Sequence, residues 1–112
     1  MTMLLNKSYT AASTVQVVNT TQVPEYVGRA LVSVTISGGT GGVTPAKRLS
    51  GSGDAFANCW WTDPLANAAK TPGTACAATG MMDIVVDGCD LQLTITAAGG
   101  GTVSVKVTPL FG

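Results

Sequence analysis

Three carboxylates lie close together in the sequence, at Asp83, Asp87 and Asp90. Two carboxylates at a suitable separation can serve as acid and base in glycoside hydrolysis. Asp87 precedes Gly88, however, and Asp-Gly is a dipeptide that tight turns favour. A calcium site would need about six to eight oxygen ligands, and the spacing fits no calcium loop. We therefore interpret this cluster as a turn and predict no metal site; a hydrolase that uses Asp83 or Asp90 is kept as a third hypothesis.

The chain contains no histidine and three cysteines, Cys59, Cys76 and Cys89. Without histidine, neither a Ser-His-Asp nor a Cys-His arrangement can form, and a zinc site would lack its usual ligands. An odd number of cysteines with no Cys-x-x-Cys spacing favours free, buried thiols over a disulfide framework. A single bridge, Cys59–Cys76 or Cys76–Cys89, is the alternative that the spacing leaves open. The sequence predicts no catalytic residue and no cofactor.

Two pairs of adjacent large apolar residues stand out, Trp60-Trp61 and Met81-Met82. Neighbours in a strand point to opposite faces, so one member of each pair is expected in the core and the other outside it. An exposed tryptophan is covered either by a loop of its own chain or by a partner, and tryptophan is enriched at interfaces. Trp60, Trp61, Met81 and Met82 are therefore the candidate interface residues.

The composition excludes several classes of partner. Charged residues make up 11% of the chain and the formal net charge is zero, against about 25% charged residues in ordinary domains. The basic residues are scattered, which argues against nucleic acid. No apolar run reaches the length of a membrane span, and the first residues do not resemble a signal peptide, so we expect a cytoplasmic site of synthesis. A chain with so little charge is prone to associate.

Alternating apolar and polar residues predict β-strands in much of the chain. The clearest runs are residues 13–19, 29–37, 89–96 and 102–108, because alternation with period two marks a strand with one buried face. The glycines at 99–101 supply a permissive reversal, and the last two runs are therefore predicted to form a β-hairpin. About seven to nine short strands separated by turn signals are typical of a sandwich or barrel.

These patterns predict one all-β domain over residues 1–112. We expect an antiparallel β-sandwich that closes with the C-terminal β-hairpin, and a jelly roll is one arrangement that fits. Residues 1–12 are predicted to be either a first strand or an N-terminal arm. Pro45 is expected to confine its strand to an edge or a bulge, since proline lacks a backbone donor.

Residues 86–110 read VDGCDLQLTITAAGGGTVSVKVTPL. An alternating strand, a glycine-rich turn, a Val/Thr strand and a Pro-Leu end resemble the C-termini of small structural proteins of tailed bacteriophages. The Ala/Thr/Gly/Val-rich style of the whole chain is similar. The resemblance implies a virion component without catalytic activity, of the capsid decoration (cement) type or attached to the neck or tail.

The first functional hypothesis is thus a capsid decoration protein that stabilises the head through protein–protein contacts. Its partners would be the major capsid protein or other virion proteins and its own copies, with a trimer favoured, and neither nucleic acid nor a membrane. It would be assembled in the host cytoplasm and lie on the capsid surface. The alternative is a carbohydrate- or receptor-binding module of a tail or neck appendage, in which one tryptophan, flanked by Asn58 and Asp63, stacks on a sugar.

Overall fold

The computed structural model describes residues 3–18 and 27–111, and these residues form ten β-strands. Within those two ranges no helix is long and apolar enough to span a membrane. In chain order the strands are β1 (Leu5–Tyr9), β2 (Ser13–Val18), β3 (Val27–Ser37), β4 (Thr40–Leu49), β5 (Ala57–Asn58), β6 (Trp61–Asp63), β7 (Ala68–Lys70), β8 (Gly80–Val85), β9 (Cys89–Ala98) and β10 (Thr102–Phe111).

The strands form two antiparallel sheets that pack against each other. Sheet A has the order β1-β10-β3-β8-β6-β7 and sheet B the order β2-β9-β4-β5. The first four strands of sheet A and the four of sheet B have the strand order of a jelly roll, in which paired strands fold over from one sheet into the other. The predicted all-β sandwich is therefore confirmed, and β6 and β7 extend one of its sheets.

The core lies between the two sheets and is built by the alternation that the sequence displays. Leu91, Leu93 and Ile95 of β9 are fully buried, and they face the equally buried valines of β3 and β10 across the core. Polar residues between them point outward because successive side chains of a strand alternate. The buried face of each strand is thus covered by the opposite sheet.

The predicted C-terminal hairpin is wrong. Strand β9 pairs with β2 and β4 in sheet B, whereas β10 pairs with β1 and β3 in sheet A. The glycines at 99–101 carry the chain from one sheet to the other, so that the two apolar faces meet across the core instead of lying side by side. Alternation is the same in both arrangements, which is why the pattern predicted the strands correctly and their pairing incorrectly.

A second crossing lies against this one. Residues 38–39 take the chain from β3 in sheet A to β4 in sheet B, and the ladder that pairs Ser37 with Thr102 resumes with Thr40 opposite Ala98. The two crossings therefore form one bent two-stranded ribbon with a shift in register at the bend. A Cβ atom on Gly39 would lie 2.5 Å from the Ala98 oxygen, so the backbones touch at this point, which we call the glycine corner.

Two further expectations are resolved by the strand pairing. Residues 5–9, considered as a strand or an arm, form edge strand β1 on β10.

Pro45 does not lie in an edge strand, because β4 is flanked by both β9 and β5. The Pro45 carbonyl accepts a hydrogen bond from the Cys59 N–H. Since N–H and C=O of a residue point to the same side of an antiparallel strand, the missing donor of Pro45 faces away from β9 and leaves that ladder intact.

We expect Gly39→Ala to lower the free energy of unfolding by about 1–3 kcal/mol, the usual range for overpacking. Its Cβ would lie 2.5 Å from both the Ala98 oxygen and the Gly101 nitrogen, and backbone atoms cannot rotate away. Urea denaturation measures the change. Gly80→Ala is the control, because the nearest atom to its Cβ would be the Ala78 oxygen at 3.8 Å. Equal effects of the two substitutions would contradict the close approach at the glycine corner.

Candidate protein-binding face

The two tryptophans point to opposite sides, as their adjacency predicts. Trp61 is buried, and its Nε1–H donates a 2.8 Å hydrogen bond to the Thr74 carbonyl. Trp60 is 59% exposed. Met82 lies in the core, whereas Met81 is partly buried. The sequence predicted one core residue in each pair, and the structure shows that these are Trp61 and Met82; the interface role of the four residues stays a prediction.

The register of β3 and β8 places two apolar and two charged residues together on the outer face of sheet A. Arg29 lies beside Val85, and Leu31 lies beside Asp83. Met82 and the buried residue two positions after it in β8 point into the core. Asp83 and Val85 alternate with them along the strand, so their side chains point outward. Val85 is 51% exposed. No sequence pattern joins these residues, because β3 and β8 are about fifty positions apart in the chain.

Trp60 lies directly before β6, the strand next to β8 in sheet A. Thr62 of β6 pairs with Asp83 on the side opposite Leu31, and Trp60 precedes Thr62 by two residues. Trp60 itself lies outside β6, where the chain passes from β5 of sheet B to β6 of sheet A, and the Val85 carbonyl accepts a 2.6 Å hydrogen bond from the Lys47 ammonium. We use the name Trp60 patch for the exposed Trp60 together with the outer residues Val85, Leu31, Arg29 and Asp83 of the adjoining strands.

An ion pair crosses the Trp60 patch. Arg29 Nη1 donates to Asp83 Oδ2 at 3.1 Å, and the two side chains are 52% and 19% exposed. Asp83 Oδ1 is buried and has no hydrogen-bond partner among the described residues. A pair this exposed contributes about 0–1 kcal/mol to folding. Its stabilising contribution is therefore small, while it presents one positive and one negative group on the outer face of sheet A.

The outer face of sheet B has a different chemistry. Strands β2 and β9 pair there through Thr14 and Thr94 and through Gln16 and Gln92, and the exposed members are hydroxyl and amide side chains. We call it the Thr-rich face; its exposed residues are Thr14, Gln16, Thr94 and Thr96. The two outer faces of the sandwich are thus unlike, one polar and one with exposed apolar side chains.

Asp90 lies on the outer side of sheet B and is nearly fully buried. Arg48 Nε donates to Asp90 Oδ2 at 3.2 Å, while Arg48 Nη1 donates to the Asp54 carbonyl at 3.1 Å. The guanidinium also stacks 4.4 Å above the centre of the Phe56 ring. Arg48 therefore holds the 50–56 loop over Asp90 and offsets the burial of its carboxylate. Sequence reasoning missed this pair, since nothing in the spacing of residues 48 and 90 indicates it.

The carboxylate cluster predicted to be a turn is dispersed by the fold. Asp83 and Asp90 lie on opposite outer faces of the sandwich. Asp87 and Gly88 both have positive φ, as expected of a turn, and this turn leads from sheet A to sheet B. Within residues 3–18 and 27–111 no three Asp, Glu, Cys or His side chains are grouped as metal ligands would be.

The three cysteines are free thiols. Cys76 bonds through its backbone to Val43, whereas Cys89 lies opposite Leu49. Six residues of β4 separate these two positions, on the order of 20 Å, which is well beyond the roughly 7 Å limit between bridged Cα atoms. Burial raises the pKa of the Cys59 thiol and that of the Cys76 thiol.

Two surface depressions lie among the described residues. One, of about 230 Å³, is lined by small residues near the glycine corner. Another, of about 180 Å³, contains Asp63 and Lys70 beside Trp61, but Asp63 Oδ1 already accepts the N–H groups of Leu65 and Ala66 in a turn.

No protein-family model, curated protein or solved structure matches the chain. The Trp60 patch is the surface feature that a binding function best explains.

We expect Arg48→Ala to reduce the free energy of unfolding by about 3–5 kcal/mol, because it leaves the Asp90 carboxylate buried without its partner. Arg29→Ala serves as the matched control, since it removes an exposed pair and should change stability by about 0–1 kcal/mol. Denaturant unfolding of both variants gives the comparison. The Arg48→Met, Asp90→Leu double variant should recover most of the lost stability. If Arg48→Ala were no more destabilising than Arg29→Ala, and the double variant no more stable than Arg48→Ala, Arg48 would not be holding the Asp90 carboxylate.

Alkaline pH should destabilise the fold through the two buried thiols. A thiol whose pKa is raised by burial binds its proton more tightly in the folded chain than in the unfolded chain. Its stabilising contribution is therefore complete below the ordinary thiol pKa of about 8.5 and is lost as pH rises towards the higher folded-state pKa. Thermal unfolding between pH 7 and 10 measures the slope. Replacing Cys59 and Cys76 by Ala should flatten it, and an unchanged slope would assign the pH dependence to other groups.

Proposed function

We propose that the chain is a non-enzymatic structural protein of a tailed-phage virion, and that it decorates the capsid and stabilises the head through protein–protein contacts. The observation that carries this proposal is the exposed Trp60, which directly precedes the buried and hydrogen-bonded Trp61. Large aromatic residues with apolar neighbours are the usual energetic centre of protein interfaces. The resemblance of residues 86–110 to phage structural proteins supports the virion as the location.

The remaining surface supports the same proposal. The chain has few charges and no net charge, so solubility depends on hydroxyl and amide groups, and burial of surface in an assembly costs little desolvation of charge. The Thr-rich face and the Trp60 patch lie on opposite sides of the sandwich. A protein with two unlike faces can contact its own copies through one and the capsid shell through the other, and many weak contacts at repeated sites act together.

A carbohydrate- or receptor-binding module is the second candidate. It is favoured by the same exposed indole, which has the flat surface needed to stack on a sugar ring, and by the Arg29–Asp83 pair beside it. Asn58 is exposed two residues before Trp60. Asp63, the other polar residue expected to flank the tryptophans, is engaged in the turn after β6. Titration of tryptophan fluorescence with a panel of sugars distinguishes this candidate, since a sugar that stacks on Trp60 alters its emission whereas sugars leave a purely capsid-binding chain unchanged.

Trp60→Ala should weaken binding of the chain to undecorated heads of its phage by about 30-fold, the effect of losing one strong interface residue worth about 2 kcal/mol. Heads saturated with the unmodified chain should release DNA at a higher temperature than undecorated heads. A dye that reports released DNA, with the bound chain quantified after sedimentation of the heads, provides both measurements.

Leu65→Ala is the control for this experiment, because Leu65 is 74% exposed but lies in the turn between β6 and β7. It should bind as the unmodified chain does. No binding to heads, or no gain in their heat resistance at saturation, would refute the decoration function. Equal binding by both variants would show that the capsid contact lies away from the Trp60 patch.

A further inference from the structure

We propose that the depression between the β6–β7 hairpin and residues 75–81 is a binding site for a small zwitterion, a molecule with one ammonium group and one carboxylate, such as a free α-amino acid. Asp63 holds the ammonium group of this ligand and Lys70 holds its carboxylate. The site uses no residue of the Trp60 patch, so this inference goes beyond the capsid role proposed above and does not depend on it.

The pairing of β6 with β7 turns two charged side chains towards the inside of the sandwich. Buried Trp61 lies opposite Lys70, and residues directly opposite each other in an antiparallel pair share a face. Asp63 follows Trp61 by two positions in β6 and therefore lies on the same face. All three line one depression of about 180 Å³. A carboxylate and an ammonium group thus meet on a side of the sheet that is normally apolar.

Residues 75–81 form the opposite wall of the depression and are tied to both sheets. Cys76 exchanges two backbone hydrogen bonds with Val43 of β4, at 2.9 and 3.1 Å, and the Thr79 hydroxyl accepts a 3.0 Å hydrogen bond from the backbone of β3. The Trp61 indole joins the two walls by donating to the Thr74 carbonyl. The depression is therefore formed in advance, as small-molecule sites usually are.

The two charged groups do not neutralise each other. Neither ion pair of the described residues includes Asp63 or Lys70. Asp63 Oδ1 accepts the N–H groups of Leu65 and Ala66 at 2.9 and 3.2 Å, whereas Oδ2 makes no hydrogen bond to the part of the chain that the structure describes. One carboxylate oxygen and one ammonium group in the same depression are thus available to a ligand.

Electrostatic effects on Cys76 place both charges near one point. Burial raises the pKa of the Cys76 thiol, and its bond to the Ala78 carbonyl lowers it. Asp63 raises the pKa of the same thiol and Lys70 lowers it, both by smaller amounts. Both charged groups therefore lie within electrostatic reach of a single sulfur atom in the wall of the depression.

Size and charge together define the class of ligand. A volume of about 180 Å³ is below the roughly 300–1,000 Å³ of sites for drug-sized molecules. A ligand with a single charge would be attracted by one of the two groups and repelled by the other. A zwitterion pairs with both groups and brings no net charge into the depression. Trp61 and Met81 in the lining provide apolar surface for a small side chain.

The spacing of the two groups suits a ligand of this length. Asp63 and Lys70 occupy diagonal positions of the β6–β7 pair, and such positions are about 7–8 Å apart. Hydrogen bonds between charged groups are about 2.8 Å long. A ligand whose ammonium group and carboxylate are attached to the same carbon atom, as in an α-amino acid, therefore bridges this span with one hydrogen bond at each end.

Two-dimensional ¹H–¹⁵N NMR of the labelled chain tests this inference, because each indole N–H gives its own signal. L-alanine is the probe, and its addition should shift the Trp61 signal. The Trp60 signal should stay in place, since Trp60 does not line the depression. Ethylamine and propionate each carry one of the two charges, and each should need at least about tenfold more ligand to produce the same shift, because one hydrogen bond to a charged group is lost.

Two variants assign the binding to the proposed groups. Asp63→Asn removes the charge but keeps an oxygen that accepts the Leu65 and Ala66 N–H groups, and Lys70→Met removes the ammonium group but keeps an unbranched side chain. Each should weaken binding of L-alanine at least about tenfold. Lys106→Met is the matched control, since Lys106 is exposed on β10, and it should bind L-alanine as the unmodified chain does.

Several outcomes would overturn the inference. These are no shift of the Trp61 signal with L-alanine, equal shifts of both indole signals, equal effects of L-alanine and ethylamine, and binding that neither Asp63→Asn nor Lys70→Met weakens. Lys70 also lies in edge strand β7, where an inward charge hinders the addition of further strands, but that role predicts no response to a ligand. The comparison of the three probes uses the unmodified chain, so it decides the question even if a variant fails to fold.

Discussion

The contact between two backbone crossings at the glycine corner is the constraint on which the rest of this structure depends. Strands β3 and β4 on one side, and β9 and β10 on the other, form one ribbon that bends from sheet A into sheet B. At the bend a Cβ on Gly39 would lie 2.5 Å from backbone atoms of the other crossing. Glycine permits this approach because it has no side chain. The sandwich closes around its core because the ribbon bends at this point.

The bend determines which residues become neighbours on the outside. By placing β3 between β10 and β8, it brings Arg29 and Leu31 beside Val85 and Asp83. The chain later returns from sheet B to sheet A, and Trp60 lies directly before β6 at this return. The Arg48–Asp90 pair arises in the same way on sheet B, where β4 lies against β9. Both ion pairs join residues far apart in sequence. The pair on sheet B is the more buried one, and its carboxylate therefore depends on the arginine partner.

The position of Trp60 connects the fold to the proposed function. Its neighbour Trp61 is fixed in the core by a hydrogen bond to the Thr74 carbonyl, so the exposed indole is carried by an anchored segment. An interface residue on a rigid support loses less conformational freedom when it binds. The outer face of sheet A presents the exposed Val85 and the Arg29–Asp83 ion pair. The polar outer face of sheet B has the opposite character.

The sequence by itself determined the class of fold and the faces of its strands. Alternation with period two assigned β2, β3 and the strands of residues 89–108, and adjacency in Trp60-Trp61 required one indole to be outside the core. Only the tertiary structure decided the pairing. A strand followed by a glycine turn has the same pattern whether the next strand lies beside it or across the core, so the hairpin at residues 99–101 could not be distinguished from a crossing. The neighbours of Asp83 and Val85 follow from that pairing, because hydrogen bonding between strands places residues together without regard to their distance along the chain.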